Sequence, residues 1–226
     1  SVMSESDYKE FGKIAPVNWH TKNLSWKVKI DYAKGKLTTD NLYLKQIQLA
    51  NNRMISLQEQ YDNLKAEEKA HIRINTLFSL EEQLKKFKKD RGLHDFDDML
   101  LKFSELPDNR IPSFDLLIVD EAQDCSKLQW KCIRKLEDRA KRTIVAGDDD
   151  QAIFVWAGSD VATFRSFYDN PKFENIQLQE SQRVPLLIHS LAEKIIKKDT
   201  GRLPKLYEPK KECGAIFKRP DIKQCK

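Results

Sequence analysis

A run of aliphatic residues that ends on two adjacent carboxylates, Leu116-Leu117-Ile118-Val119-Asp120-Glu121, constrains this chain more than any other stretch of it. With Phe114-Asp115 before it, the run predicts a strand buried on both faces, as in a parallel sheet covered by helices. It is also the longest apolar candidate. No segment approaches the roughly 18 residues that cross a bilayer, and no basic-then-apolar leader opens the sequence. The chain has 226 residues, of which 40% are hydrophobic and 33% charged, enough for one large core or two small ones.

Cys125, Cys132, Cys213 and Cys225 form no CxxC pair, so the structural zinc pattern is absent. Disulfides are unnecessary at this length, and the expected setting is a reducing cytoplasm. The net charge of +5 is compatible with nucleic acid and is unevenly spread. Basic residues outnumber acidic ones from Lys194 to Lys226, whereas Asp115–Asp124 and Asp148–Asp150 concentrate carboxylates.

The first hundred residues read as helical and carry no recognisable chemistry. Tyr32 to Lys36 punctuates the early part, and Leu42 to Leu57 has apolar positions at helical spacing. Leu77, Leu80, Leu84 and Phe87 mark one face of a helix that begins either at a Ser79/Glu82 capping box or further upstream. Arg91-Gly92 ends it, and Asp95 caps the next, with Met99, Leu100 and Phe103 on its apolar face. From Pro112 the pattern changes. The Phe114–Val119 strand precedes a helix with Leu128, Ile133 and Leu136, and Thr143-Ile144-Val145-Ala146 makes a second buried strand. A helix is expected from Asp160 and a third strand over 174–179. Pro185 suits the start of a helix over 186–197. Alternating strands and helices imply an α/β sheet.

Three places carry chemistry. Asp120 and Glu121 lie at the carboxyl end of a strand, where open α/β sheets collect ligands. One carboxylate suits magnesium, and the other is placed to deprotonate a water. The plain reading is a strand running into a solvated acidic turn. The loop Gly147-Asp148-Asp149-Asp150-Gln151 follows the second strand, and its glutamine can sense a terminal phosphate without adding charge. Gln182-Arg183 ends the third strand with a guanidinium fork that matches phosphate geometry. Taken singly, these two are an acidic turn and a surface arginine.

Taken together, the three resemble superfamily 1 helicases of the UvrD/Rep/PcrA group. The likeness rests on Asp95-Phe96-Asp97-Asp98-Met99-Leu100, on Val119-Asp120-Glu121-Ala122-Gln123-Asp124, and on the run from Gly147 to Gly158. Gln182-Arg183-Val184-Pro185 is similar to the family's fourth motif, and the match spans about Asp95 to Gly214. The resemblance implies a P-loop NTPase fold of the RecA-like kind: part of its parallel sheet, with an α-helical 1B-type insertion. Residues 1–107 would be the 1B-like region, 108–170 part of the first RecA-like domain, and 171–226 the start of the second. It implies ATP with Mg2+ as cofactors and single-stranded and duplex DNA as partners. By the same resemblance Asp120 holds the metal, Glu121 activates the hydrolytic water, and Gln123 links the nucleotide site to the DNA site. Gln151 and Arg183 contact the γ-phosphate, and Trp156 stacks on a base of single-stranded DNA. Without the family, Trp156 reads as a core residue. Trp19, Trp26, Trp130, His20, His71, His94 and His189 keep such bland readings.

The sequence also departs from the family pattern. Ala157 stands where many relatives have arginine, and Gln182 where many have a tyrosine that stacks on adenine. None of the seven glycines begins a GxxxxGK[ST] phosphate loop. The expectation is a central piece of a longer helicase or a split-gene product, inactive as an ATPase alone, with any companion polypeptide supplying the absent motifs. The alternatives are a DNA-binding module that has lost catalysis, or a metal-dependent nuclease built on the aspartate clusters.

Overall fold

The structure, a computed structural model, describes residues 1–15, 26, 28–31 and 36–217; Trp19, His20, Cys225 and the Tyr32–Gly35 part of the predicted punctuation lie outside them. It divides into two compact units. One comprises residues 1–147 and 152–161, the other residues 148–151 and 162–226.

The first unit opens with helix α1 (Glu5–Ile14), started by a reciprocal capping box between Ser4 and Asp7. Strands β1 (Val28–Asp31) and β2 (Lys36–Thr39) pair antiparallel in a region the sequence reads as helical. Four-residue strands mixing charged and apolar side chains leave too short a pattern to distinguish. Glu5 steadies this hairpin by accepting the Ile30 N–H at 3.1 Å. Trp26 meets Phe11 edge-on at 5.4 Å, and a Cβ at residue 12 would lie 2.4 Å from the indole. Only glycine fits there.

Helix α2 (Leu42–Arg53) is capped by Asn41, whose Oδ1 accepts the N–H groups of Tyr43 and Leu44. It stops at left-handed Met54, and Ser56 caps a new helix, α3 (Leu57–Asp62), so the apolar pattern over 42–57 spans two helices. After α4 (Ala66–Lys69), helix α5 (Ile74–Arg91) runs straight through Ser79, the longer of the two alternatives. Gly92 at φ 61° ends it, and Asp95 starts α6 (Phe96–Glu105) through a capping box with Asp98. Phe11, Tyr43, Leu44, Ile47, Leu77, Leu80, Leu84 and Phe87 form the core between these helices.

Strand β3 (Phe114–Val119), helix α7 (Lys127–Glu137) and strand β4 (Ala140–Val145) follow, with β3 and β4 parallel from Phe114↔Ala140 to Val119↔Val145. The expectation of strands buried on both faces is corrected. Leu116, Ile118 and Ile144 are 46%, 60% and 45% exposed. Among the described residues the sheet has two strands, and α7 packs against β4 with Leu128, Trp130 and Cys132 buried. A pair of strands with one helix against it leaves apolar side chains in the open.

The second unit begins its regular structure with α8 (Val161–Ser166), at whose first residue the boundary falls. The strand expected over 174–179 lies instead at β5 (Glu180–Pro185), paired parallel with β6 (Glu208–Lys210) and leading into α9 (Leu186–Ile196) behind Pro185. Residues 174–179 form no strand. Ile176 and Leu178 are 78% and 86% exposed, so apolarity alone misplaces the strand. Among the described residues each sheet is two-stranded. No helix among the described residues is long and apolar enough to cross a membrane.

Asp97 joins α6 to α2. It is buried and accepts from Asn51 Nδ2 at 3.3 Å and Asn52 Nδ2 at 3.2 Å. Burial, reinforced by the charge of Asp95, pushes its carboxyl up to about 7, against the pull of those amides and Lys88. Because the folded pKa lies above the unfolded one, the folded state holds this proton more tightly. The stability it contributes is complete below the ordinary carboxyl value of 3.8 and is lost as pH climbs to about 7. At about 1.4 kcal/mol per unit, the loss reaches about 4 kcal/mol. Urea midpoints of the wild type should therefore fall between these pH values, and those of Asp97→Asn should fall much less. Parallel curves for the two would contradict this account of Asp97.

Candidate catalytic turn and nucleic-acid interface

The end of β3 is held in register by the chain that leaves β4. Ala146 N–H donates to the Val119 carbonyl at 2.8 Å, and Ala122 N–H donates to the Ala146 carbonyl at 2.9 Å. Between these ties the backbone must reverse in two residues. It does so with Glu121 at φ 50°, ψ 40°, a left-handed conformation that a side chain bearing a Cβ rarely adopts. Asp120 Oδ1 accepts the Glu121 N–H at 2.9 Å. Ala122 and Gln123 are buried beneath the turn, while both carboxylates face solvent. From below, Gln123 Nε2 donates to Glu121 Oε2 at 2.7 Å.

The turn thus presents two anchored carboxylates side by side. The donor set fits a hard divalent cation, which takes one or two carboxylates and fills its remaining positions with water or phosphate oxygens.

Trp156 belongs to the same unit. It lies in a 3-10 turn, Val155–Ala157, that ends at Gly158 with φ 101°. Ser126 and Ser159 form an antiparallel bridge, and Asp160 N–H donates to the Cys125 carbonyl at 2.8 Å. The segment that follows Gln123 therefore carries the Trp156 turn directly. On its other side Gly158 abuts α2, where a Cβ would stand 3.4 Å from Asn52 and Leu49 side-chain atoms. Trp156 is 62% exposed, so the core-packing alternative fails, whereas Trp130 is buried as expected. Phe154 approaches the indole at 6.4 Å and 50°, and Lys45 Nζ lies 5.1 Å above its ring.

Gln151 and Arg183 are in the second unit. Gln151 is exposed and donates to Asp148 Oδ2 at 2.8 Å. Arg183 is exposed on β5, its backbone N–H directed to Ser181 Oγ at 3.3 Å.

The three aspartates before Gln151 are matched by Arg165 and by two cations, Arg202 and Lys205, that sequence reading left in a generic basic tail. Arg202 grips Asp150 at 2.9 and 2.5 Å, Arg165 Nε reaches Asp149 at 2.9 Å, and Lys205 contacts all three. Leu203 N–H adds a bond to Asp149 at 2.9 Å. Burial disfavours charge on Asp148 and Asp149, yet the Lys205 ammonium outweighs it and holds both carboxyls below the usual range. The acidic loop is thus a scaffold whose charge Arg165, Arg202 and Lys205 neutralise. Arg202 and Lys205 lie 52 and 57 residues along the chain from their aspartates, and complementary charge was the only sequence signal for them.

Both the Asp120–Glu121 turn and Trp156 lie in a stretch of sequence that matches a known family. Residues 4–172 match the family model described as the UvrD/REP helicase N-terminal domain, and the chain belongs to that family. Among curated proteins it is 35% identical over 122 residues to DNA helicase II of Escherichia coli and 34% identical over 130 residues to the ATP-dependent DNA helicase PcrA of Bacillus subtilis. It is 31% identical over 121 residues to DNA helicase II of Haemophilus influenzae. These matches cover 50%, 54% and 50% of this chain, and each covers 17% of the relative. The chain matches about a sixth of their length.

The left-handed turn yields a direct expectation. Such a backbone costs a residue with a Cβ about 1–2 kcal/mol, roughly balanced in a change to glycine by the extra freedom of the unfolded chain. Glu121→Gly should therefore unfold at or above the wild-type urea midpoint, whereas β-branched Glu121→Val should lose about 1 kcal/mol or more. If the glycine variant proved the weaker of the two, the turn would not be strained as described.

Proposed function

We propose that this chain is the part of an ATP-dependent DNA helicase that contains the hydrolytic carboxylates and a single-strand contact. The observation that carries the reading is the Asp120–Glu121 turn: two exposed carboxylates at a strand end, the second oriented from beneath by a buried glutamine. The relatives named above support it, since their names describe ATP-dependent or DNA helicases. In this reading the parallel β3–β4 pair belongs to a RecA-like sheet of the P-loop NTPase kind. Residues 1–107 are its helical 1B-type insertion, 108–170 part of the first RecA-like domain, and 171–226 the start of the second.

Asp120 would hold the magnesium that accompanies ATP. The metal neutralises phosphate charge when bound. Glu121 takes the proton of the attacking water on Oε1, because Gln123 engages Oε2 and fixes the carboxylate plane. Gln151 and Arg183 bind the γ-phosphate, the guanidinium stabilising charge as the phosphoryl group transfers. Trp156 stacks on a base of single-stranded DNA and so follows the strand during translocation and duplex unwinding, and Gln123 links that contact to hydrolysis. The expected setting is the cytoplasm.

The 226 residues contain no GxxxxGK[ST] loop, the cradle of backbone N–H groups and lysine that binds phosphates in such enzymes. That observation favours a second reading, a DNA-binding module without catalysis, unless a companion polypeptide supplies the loop. Phosphate release by the chain alone should stay at background with or without DNA. DNA-stimulated release that disappears in Glu121→Gln would contradict this.

In the complete helicase, Glu121→Gln should keep magnesium-ATP binding while turnover falls by about two to four orders of magnitude, the usual contribution of a general base. Asp120→Ala should instead weaken magnesium binding. Near-normal turnover in both variants would remove the turn from the catalytic centre.

A further inference from the structure

Lys45 is the fourth residue of α2 beyond its Asn41 cap, and its ammonium sits over one face of the Trp156 indole at 5.1 Å. A single lysine laid over a ring is usually mobile, but the geometry around this one is fixed from two directions. Asn51 and Asn52 bind buried Asp97 on α6, and Leu49 and Asn52 abut Gly158 at the end of the tryptophan's own turn. The helix therefore cannot shift along the turn without breaking both contacts. The ring itself remains 62% exposed, flanked by Ile153 and Val155 at 68% and 50%.

We infer that Lys45 is a second element of the single-strand contact: it backs one face of Trp156, leaves base stacking to the opposite face, and supplies a positive charge to the phosphate backbone of the stacked nucleotide. The inference rests on the stacking role proposed for Trp156. The chemistry recognised is that of single-stranded nucleic acid, a flat π-face followed by a phosphodiester anion. A ring with a cation over one side can stack only on the other, so Lys45 makes the platform one-sided. Its flexible stem and three N–H donors let the ammonium follow a phosphate as the strand moves. The contact is indifferent to base identity, as a translocating enzyme requires, and sensitive to salt.

The test uses the 226-residue chain and a labelled oligothymidine, with affinity measured by fluorescence anisotropy across a salt series and folding checked by circular dichroism. Lys45→Met keeps the stem and removes the charge. It should bind about fivefold more weakly near about 0.1 M salt, with the slope of log affinity against log salt shallower by about 0.7, the value for one phosphate contact on a single strand. Lys45→Arg should retain the wild-type slope. Trp156→Ala should weaken binding about five- to hundredfold with the slope nearly unchanged. A wild-type slope and affinity in Lys45→Met, alongside weakened Trp156→Ala, would overturn the role of Lys45 alone. Unchanged affinity in Trp156→Ala would overturn the stacking reading, and the role of Lys45 with it.

Discussion

Two backbone hydrogen bonds, Ala146 N–H to Val119 and Ala122 N–H to Ala146, close the chain around Asp120 and Glu121. They leave no room for an extended exit from β3, so the reversal falls on Glu121 in a left-handed conformation. Strain held at one residue by hydrogen bonds on both sides is how folds fix a side chain that must not wander. Here the held side chain is a carboxylate, and a buried glutamine supports it from below. The two-stranded sheet matters chiefly because it carries this turn.

The same strand exit leads directly to the display of Trp156. Two residues beyond Gln123 come Cys125 and then Ser126, whose backbone binds Asp160 and Ser159 and so carries the tryptophan turn. Helix α2 closes the arrangement from the other side. Its Asn51 and Asn52 hold Asp97, while Leu49 and Lys45 meet the Gly158 end and the indole face. A displacement at the aromatic ring therefore has a short physical route to the Glu121 carboxylate, through residues already in contact.

Much of this was legible in the sequence, for identifiable reasons. Capping and termination are local chemistry, so Asp95 and Gly92 mark real helix ends, and Pro185 sits immediately before α9. The aliphatic run ending at Val119 forms the strand its composition predicts, β3. What failed or stayed hidden depended on partners distant in sequence. Apolar content placed a strand over 174–179, but the ladder forms where β6 offers hydrogen bonds, from Glu180. Burial of Leu116 and Ile118 was inferred from composition, although burial depends on what covers a sheet. The left-handed Glu121 carries no signature, since a glycine would mark such a position and a glutamate does not. Lys45 beside Trp156, and Lys205 among the three aspartates, are tertiary juxtapositions that single residues do not announce.

The central claim is that the segment from Asp120 to Ser126 joins the hydrolytic carboxylate to the DNA-contacting turn through Gln123. The most direct measurement is the ratio of ATP hydrolysis with saturating single-stranded DNA to hydrolysis without it, in the complete helicase carrying Gln123→Ala. The account predicts that this ratio collapses towards one, because the carboxylate loses the bond through which the DNA contact reaches it. A ratio equal to that of the wild type would contradict the account.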